Sequence, residues 1–299
     1  MWWELRMPCA WELEESLQWT LAKMGITRVA LIHPAQSPDQ TELRAWLPQH
    51  EWNLEARKAL ESQLQGLGDP FNLSLAAPEW RERADEDWNE SWKSHWRPDP
   101  VGSRLLILPA WMEPTKQHGE RLLIRLDPGS AFGTGSHPST RLCLEALAAM
   151  PLRGLRVADL GCGSGILGIT ALKLGATELV ACDTDSLAIN ATEQNSQLNG
   201  IGAERLRVAQ GSINVLEQLL RGKRSDVLIC NILAPVIEQL SPSFDSVLSR
   251  QGVGLLSGLL VEQAPELMAT LLELGWESEL AACQGPWGLL RLRATGQVT

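Results

Sequence analysis

The residues best suited to chemistry lie in Asp159-Leu160-Gly161-Cys162-Gly163-Ser164-Gly165, where the apolar run LRVADL ends in a glycine-rich turn that leads into ILGITALKL. Glycines let the backbone turn sharply and let a ligand approach the main chain, while the following helix offers free N–H groups at its start. A dinucleotide fingerprint G-x-G-x-x-G would need glycine where Ile166 stands. The acid two residues before Gly161 repels phosphate and can hold a cationic ligand, directly or through water. S-adenosylmethionine carries an ammonium and a sulfonium and no phosphate, so it suits Gly161 and Gly163 better than NAD does.

Asp183 ends the next apolar run, ELVACD, 22 residues after Gly161. A carboxylate there can accept hydrogen bonds from both ribose hydroxyls, which separates a nucleoside site from an empty loop but not a methyl donor from NAD. Its other possible role, capping the next helix, suits Asp185 better. Further on, DVLICN ends at Asn231, followed by Ile232-Leu233-Ala234-Pro235. The Asn231 amide could accept a hydrogen bond from an amine nucleophile or hold the amino acid part of a cofactor. The alternative is a helix cap before Leu233. Cys162 reads as a small side chain packed under the loop, because a thiol nucleophile needs a paired histidine and none is visible. No His/Cys/Asp cluster has metal-ligand spacing, so no metal is expected.

These residues need a scaffold that brings strand ends together. From residue 155 short β-rich runs alternate with helical patterns over residues 166–174, 186–198, 233–248 and 262–274, and two terminal strands follow near Trp276 and Gly288. That alternation predicts an α/β fold: a doubly wound, seven-stranded, Rossmann-like domain with its parallel sheet covered on both faces. The first part differs. WWELRM, a helix over residues 10–24 ended by Gly25, ITRVALIH, LRAWLP, a helix over 53–64 and FNLSLAA give the order βαββαβ, an α+β ferredoxin-like domain. Between them, DWNESWKSHWRP reads as a helical linker with Trp88, Trp92 and Trp96 on one face, either packing anchors or a substrate-binding aromatic stripe. The expected boundaries are therefore 1–80, 81–96 and 97–299.

Composition narrows the function classes. The chain has 299 residues, 44% hydrophobic, enough for about two domains with real cores. Of its 13 tryptophans all but Trp276 and Trp287 lie at or before Trp111, which marks the same division. The net charge is −10, with 14 basic and 19 acidic residues before Asp127 and 12 and 17 from there on, so each part is net −5. Bulk attraction to nucleic acid is disfavoured, and no direct nucleic-acid partner is expected. Six scattered cysteines without a C-x-x-C pair suggest reduced thiols. The acidic start MWWELRMPCAWELEE is unlike a signal peptide, and the longest uncharged apolar stretch, residues 251–261, is too short for a bilayer. A cytoplasmic protein with no membrane partner is expected.

Together, the aspartate, G-C-G-S-G, Asp183 and N-I-L-A resemble a class I S-adenosylmethionine-dependent methyltransferase. The segment Asp127-Pro128-Gly129-Ser130-Ala131-Phe132-Gly133-Thr134-Gly135-Ser136-His137 resembles the signature of the bacterial PrmA family, which modifies protein eleven of the large ribosomal subunit. The linker, ILGITALKLGA, LLSGLL with Gln263, and Trp287 support the match over nearly the full length. The resemblance implies cofactor contacts at Thr140, Gly161, Asp183 and Asn231, with acceptors that are amines: the terminal α-amine and lysine side chains. It implies that the first domain grips the protein substrate, and a large partner fits a monomer. Ser139 departs from a second threonine usual in the family but keeps the hydroxyl. His137 could act as a base or simply hold its loop by hydrogen bonds. Three rivals remain: a related methyltransferase acting on RNA or a small molecule, a noncatalytic ribosome-binding module with a nucleoside pocket, and an NAD-dependent dehydrogenase.

Overall fold

Alternation along Trp2–Cys9 (β1) sends Leu5, Met7 and Cys9 to one side of a sheet, where they join Leu13, Leu17, Leu21, Leu60 and Leu64 in a core. The computed structural model describes residues 1–10, 13–26, 28–32, 41–71, 74–83, 96–127 and 135–296. Contacts divide the chain into two units, one built on Met1–Arg97 and the other on Pro98–Asp127 with Gly133–Thr299. In the first, helices Glu14–Lys23 (α1) and Leu54–Gln65 (α2) accompany strands Val29–Ile32 (β2), Thr41–Pro48 (β3) and Glu79–Arg83 (β4). The antiparallel sheet has the order β2-β3-β1-β4. Asn53 starts α2 by accepting the Ala56 N–H at 2.9 Å, which satisfies one of the free donors of the first turn.

Among its described residues, FNLSLAA forms no strand. Gly66–Phe71 is a 3-10 helix, residues 74–78 are irregular, and the edge strand is EWRER instead. Side-chain anchoring explains the choice. Opposite β1, the Trp80 indole donates to Glu61 at 2.6 Å and meets Trp3 edge-on at 6.4 Å. Arg83 reaches Glu4 at 2.7 Å, and Arg6 binds the same carboxylate at 2.9 Å. Burial alone would raise the carboxyl of Glu4, yet the two guanidinium groups hold it below its ordinary value. FNLSLAA, placed after Pro70 and before Pro78, carries no charge to offer Glu4. Trp88 and Trp92 lie outside the described residues, whereas the Trp96 indole donates to the Val29 carbonyl at 3.3 Å and so acts as a packing anchor.

The second unit holds the expected α/β sheet, with a parallel-rich centre. Its strands are Arg156–Leu160 (β8), Glu178–Asp183 (β9), Leu206–Gln210 (β10), Ser225–Asn231 (β11), Leu248–Leu260 (β12), Trp276–Gln284 (β13) and Trp287–Ala294 (β14). They run in the order β10-β9-β8-β11-β12-β14-β13. The first five are parallel, and β14 and β13 add antiparallel. Helices Pro138–Ala149 (α3), Ile166–Lys173 (α4), Ser186–Leu198 (α5), Ile213–Leu220 (α6), Ala234–Leu240 (α7), Phe244–Val247 (α8) and Ala264–Glu273 (α9) accompany them. Two features depart from the sequence reading. The single helix expected over residues 233–248 is broken by a 3-10 turn at Ser241–Ser243, because Pro242 has no N–H with which to continue it. The short helix α6, unanticipated, buries Ile213, Leu216 and Leu220 at helical spacing. A separate three-stranded sheet of Asp99–Val101 (β5), Leu105–Pro109 (β6) and Leu122–Leu126 (β7) also joins this unit.

Candidate functional site

Register decides which residues meet. Leu160 pairs with Cys182 on one side and Cys230 on the other, so the residues that follow, Gly161, Asp183 and Asn231, come together at one edge of the sheet. Strand order reverses at β8, and the crevice outside such a reversal is where ligands of doubly wound sheets bind. The glycines turn the chain sharply there: Gly161, Gly163 and Gly165 have φ of 78°, 53° and 80°. At Gly161 a Cβ would lie 2.5 Å from Ile232 Cγ2, so a side chain would collide with the residue that follows Asn231.

Asp183 organises this loop. Its Oδ2 accepts the Gly163 N–H at 2.9 Å and its Oδ1 the Asp185 N–H at 3.0 Å, which fixes the carboxylate plane and leaves further lone pairs available. Asp185, not Asp183, caps α5 by accepting the Leu187 N–H at 3.0 Å. Across the crevice, the Asn231 amide nitrogen donates to Thr140 Oγ1 at 3.2 Å. Asn231 Oδ1 is buried and has no hydrogen-bond partner among the described residues. The cap of α7 falls on Leu233, without a side-chain bond, so Asn231 does not cap that helix. A buried acceptor without a donor is costly, and a ligand N–H would satisfy it.

Asp159, expected to hold a cationic ligand directly or through water, is almost wholly buried. It is 1% exposed and lies beneath the loop, its Oδ2 accepting the Gly168 N–H at 3.0 Å in the first turns of α4. Burial pushes its carboxyl from 3.8 up to about 7, the Gly168 N–H opposes the rise, and the charge of Asp183 adds to it. Because the folded state holds the proton more tightly, the stability this group contributes is fully present below its ordinary value and is lost as pH rises through about 7. Over that window the loss is on the order of 4 kcal/mol. Denaturant titrations between pH 4 and 8 should therefore show a decline in unfolding free energy that Asp159→Asn flattens; an equal slope in the variant refutes the assignment.

Neighbouring groups act as supports. His137 caps α3, its Nδ1 accepting the Ser139 N–H at 3.3 Å, and its ring meets Trp287 edge-on at 4.5 Å. Cys162, Cys182, Cys230 and Cys143 are buried, and burial pushes each thiol upward, so none is a ready nucleophile. Among the described residues no group of three or more His, Cys, Asp or Glu could hold a metal ion. Nor is any described helix long and apolar enough to cross a membrane. The signature residues 128–134 lie outside the described residues.

Sequence reasoning missed the polar face of α5. Thr192, Asn195 and Asn199 fall at i, i+3 and i+7, one side of the helix. Thr192 Oγ1 donates to the Gly163 carbonyl at 3.0 Å, and Asn195 donates to the Ser164 carbonyl at 2.9 Å. Asn195 also accepts the Asp127 N–H at 2.9 Å. Asn199 accepts the Arg125 N–H at 2.9 Å and donates to the Arg125 carbonyl at 2.7 Å. The available signal was a run of polar residues where a helix packed on a sheet should be apolar.

A glycine loop at the switch point, a fixed carboxylate after the next strand and a half-buried amide with a buried oxygen at the end of β11 suit S-adenosylmethionine: a nucleoside that bears an amino acid group and no phosphate. The fold and site define a class I S-adenosylmethionine-dependent methyltransferase. The chain belongs to the ribosomal protein L11 methyltransferase (PrmA) family, whose model matches residues 1–295. A ribosomal protein L11 methyltransferase of Parasynechococcus marenigrum (strain WH8102) is 56% identical over 287 residues, covering 96% of this chain and 99% of that one. Its counterpart in Prochlorococcus marinus (strain MIT 9313) is 55% identical over 289 residues, 97% of this chain and 96% of that one. Among solved structures, the ribosomal protein L11 methylase of Lactobacillus delbrueckii subsp. bulgaricus aligns with a TM-score of 0.59 at 32% identity, over 67% of this chain and 99% of that one.

Proposed function

We propose that this chain transfers methyl groups from S-adenosylmethionine to amines of ribosomal protein L11, its lysine side chains and terminal α-amine, and that Asn231 orients the acceptor. The observation that carries the reading is the unpartnered, buried Oδ1 of Asn231 at the sheet edge shared with Gly161 and Asp183. S-adenosylmethionine supplies a methyl group that is already activated as a sulfonium. The chain's part is mainly to position an amine lone pair in line with it. Asn231 Oδ1 would accept one amine N–H, with Thr140 holding the other end of the amide. A lysine amine has an ordinary pKa near 10.4, so the site must favour its neutral, nucleophilic form by desolvation or by a proton path.

In the same reading Thr140, Gly161, Gly163, Asp183 and Asn231 bind the cofactor, and Leu233, exposed two residues past Asn231, offers an apolar contact for the acceptor's methylene stem. The first unit, a ferredoxin-like module by its strand order β2-β3-β1-β4, grips the protein substrate. The chain works as a cytoplasmic monomer.

The test is intact-mass spectrometry of purified ribosomal protein L11 after incubation with the chain and S-adenosylmethionine. Methyl-sized increments are expected with the native chain and are lost with Asn231→Ala, whose cofactor binding is followed in parallel by calorimetry. No increment from a native chain that binds the cofactor would transfer the activity to another acceptor.

A further inference from the structure

Two carbonyls of the glycine loop point away from its ligand side and are held from behind by α5, at Thr192 and Asn195. Asn195 is 0% exposed and spends both ends of its amide: the nitrogen on the Ser164 carbonyl, the oxygen on the Asp127 N–H at the end of β7. It thereby joins three segments that no backbone ladder connects: the loop after β8, the strand end that leads into residues 128–137, and the helix that follows Asp183 and Asp185. Asn199, the C-cap of α5, bonds among the described residues Arg125 of β7 and the helix itself, and none of the glycine loop.

We infer that Asn195 is a positioning residue of the cofactor site, setting the glycine loop in the conformation that receives S-adenosylmethionine, while Asn199 serves the fold alone. This rests on the assignment of the cofactor to Gly161, Gly163 and Asp183. A loop whose three glycines hold positive φ has many other conformations open to it. A buried side chain bonded to its carbonyl removes those alternatives before the ligand arrives. Cofactor affinity, and not only folding, should then depend on Asn195.

The experiment compares Asn195→Ala, Asn199→Ala and Asp183→Ala in the full chain, with S-adenosylmethionine binding measured by calorimetry and stability by thermal unfolding. Asn195→Ala loses two bonds to backbone and Asn199→Ala three, so both should melt earlier than the native chain. Only Asn195→Ala should also weaken cofactor binding, by roughly tenfold, with a raised KM for S-adenosylmethionine and a smaller change in kcat. Equal affinity in Asn195→Ala and the native chain overturns the inference, as does an equal loss in Asn199→Ala. If Asp183→Ala also binds normally, the cofactor assignment falls and takes the inference with it. If Asp183→Ala fails to bind while Asn195→Ala binds normally, the inference falls alone.

Discussion

Asp183→Ala is expected to lower affinity for S-adenosylmethionine by roughly a hundredfold or more, from loss of charge-assisted hydrogen bonds to the ribose together with loss of the loop's own anchor. The carboxylate is bonded on one oxygen to the Gly163 N–H at 2.9 Å and on the other to the Asp185 N–H at 3.0 Å. Truncation removes the ribose acceptor and frees the loop at once. Asp183→Asn separates the two contributions. It keeps one acceptor oxygen and loses the charge, so an affinity between those of the native chain and Asp183→Ala is expected. Calorimetry at constant pH reads the affinities, and thermal unfolding without cofactor shows whether the fold has survived. Native-like affinity in Asp183→Ala would remove the ribose from this edge of the sheet.

Gly258→Ala should reduce turnover far more than it reduces stability. Gly258 stands in β12 at φ 79°, next to Ser257, the residue paired with Asn231. Pairing between β12 and β14 shifts register between Leu256 and Leu259, so the glycine sits in a bulge. A Cβ there would lie 2.5 Å from the Ile232 carbonyl oxygen and 2.9 Å from its nitrogen, both backbone atoms that no rotamer change can move. Relief requires the chain after Asn231 to shift, and displacement of a positioning group by about 1 Å costs on the order of a hundredfold in kcat. Strain at positive φ adds about 1–2 kcal/mol. Gly222→Ala is the matched control, since Gly222 has φ 74° and nothing within 4 Å of its Cβ. It should carry the strain and leave kcat unchanged. Equal kcat in the two variants would show that the Gly258 contact is irrelevant to the site.

The glycine loop, Asp183 and Asn231 were legible because each is local: a motif, a strand end, a residue type at a fixed distance. The α/β character of the second unit was legible for the same reason, from strings such as LRVADL and DVLICN whose central residues are buried. What escaped depends on partners far along the chain. LLILP and LLIRL form the parallel pair β6 and β7 only once both are brought side by side. FNLSLAA has better β-alternation than EWRER, yet the strand forms where Trp80 and Arg83 find Glu61 and Glu4. Asn195 of α5 and Asn199 at its C-cap look like solvent-facing side chains until Ser164, Asp127 and Arg125 are set against them. Asp159 was recognised as part of the motif, but its depth beneath α4 is a property of packing that spacing does not reveal.

That same face of α5 bears on what the border of the small sheet offers to another chain. The small sheet β5-β6-β7 ends at β7, and a terminal strand ordinarily exposes unpaired N–H and C=O groups that invite a strand from another molecule. A carboxamide side chain carries the donor and acceptor of a peptide unit. Asn199 engages both groups of Arg125 and Asn195 the next inward-facing N–H, at Asp127, so a helix flank stands in for a neighbouring strand. The backbone groups that a strand from another chain would pair with are thereby already taken, and chains that lose the asparagines would gain an adhesive edge as well as a looser fold.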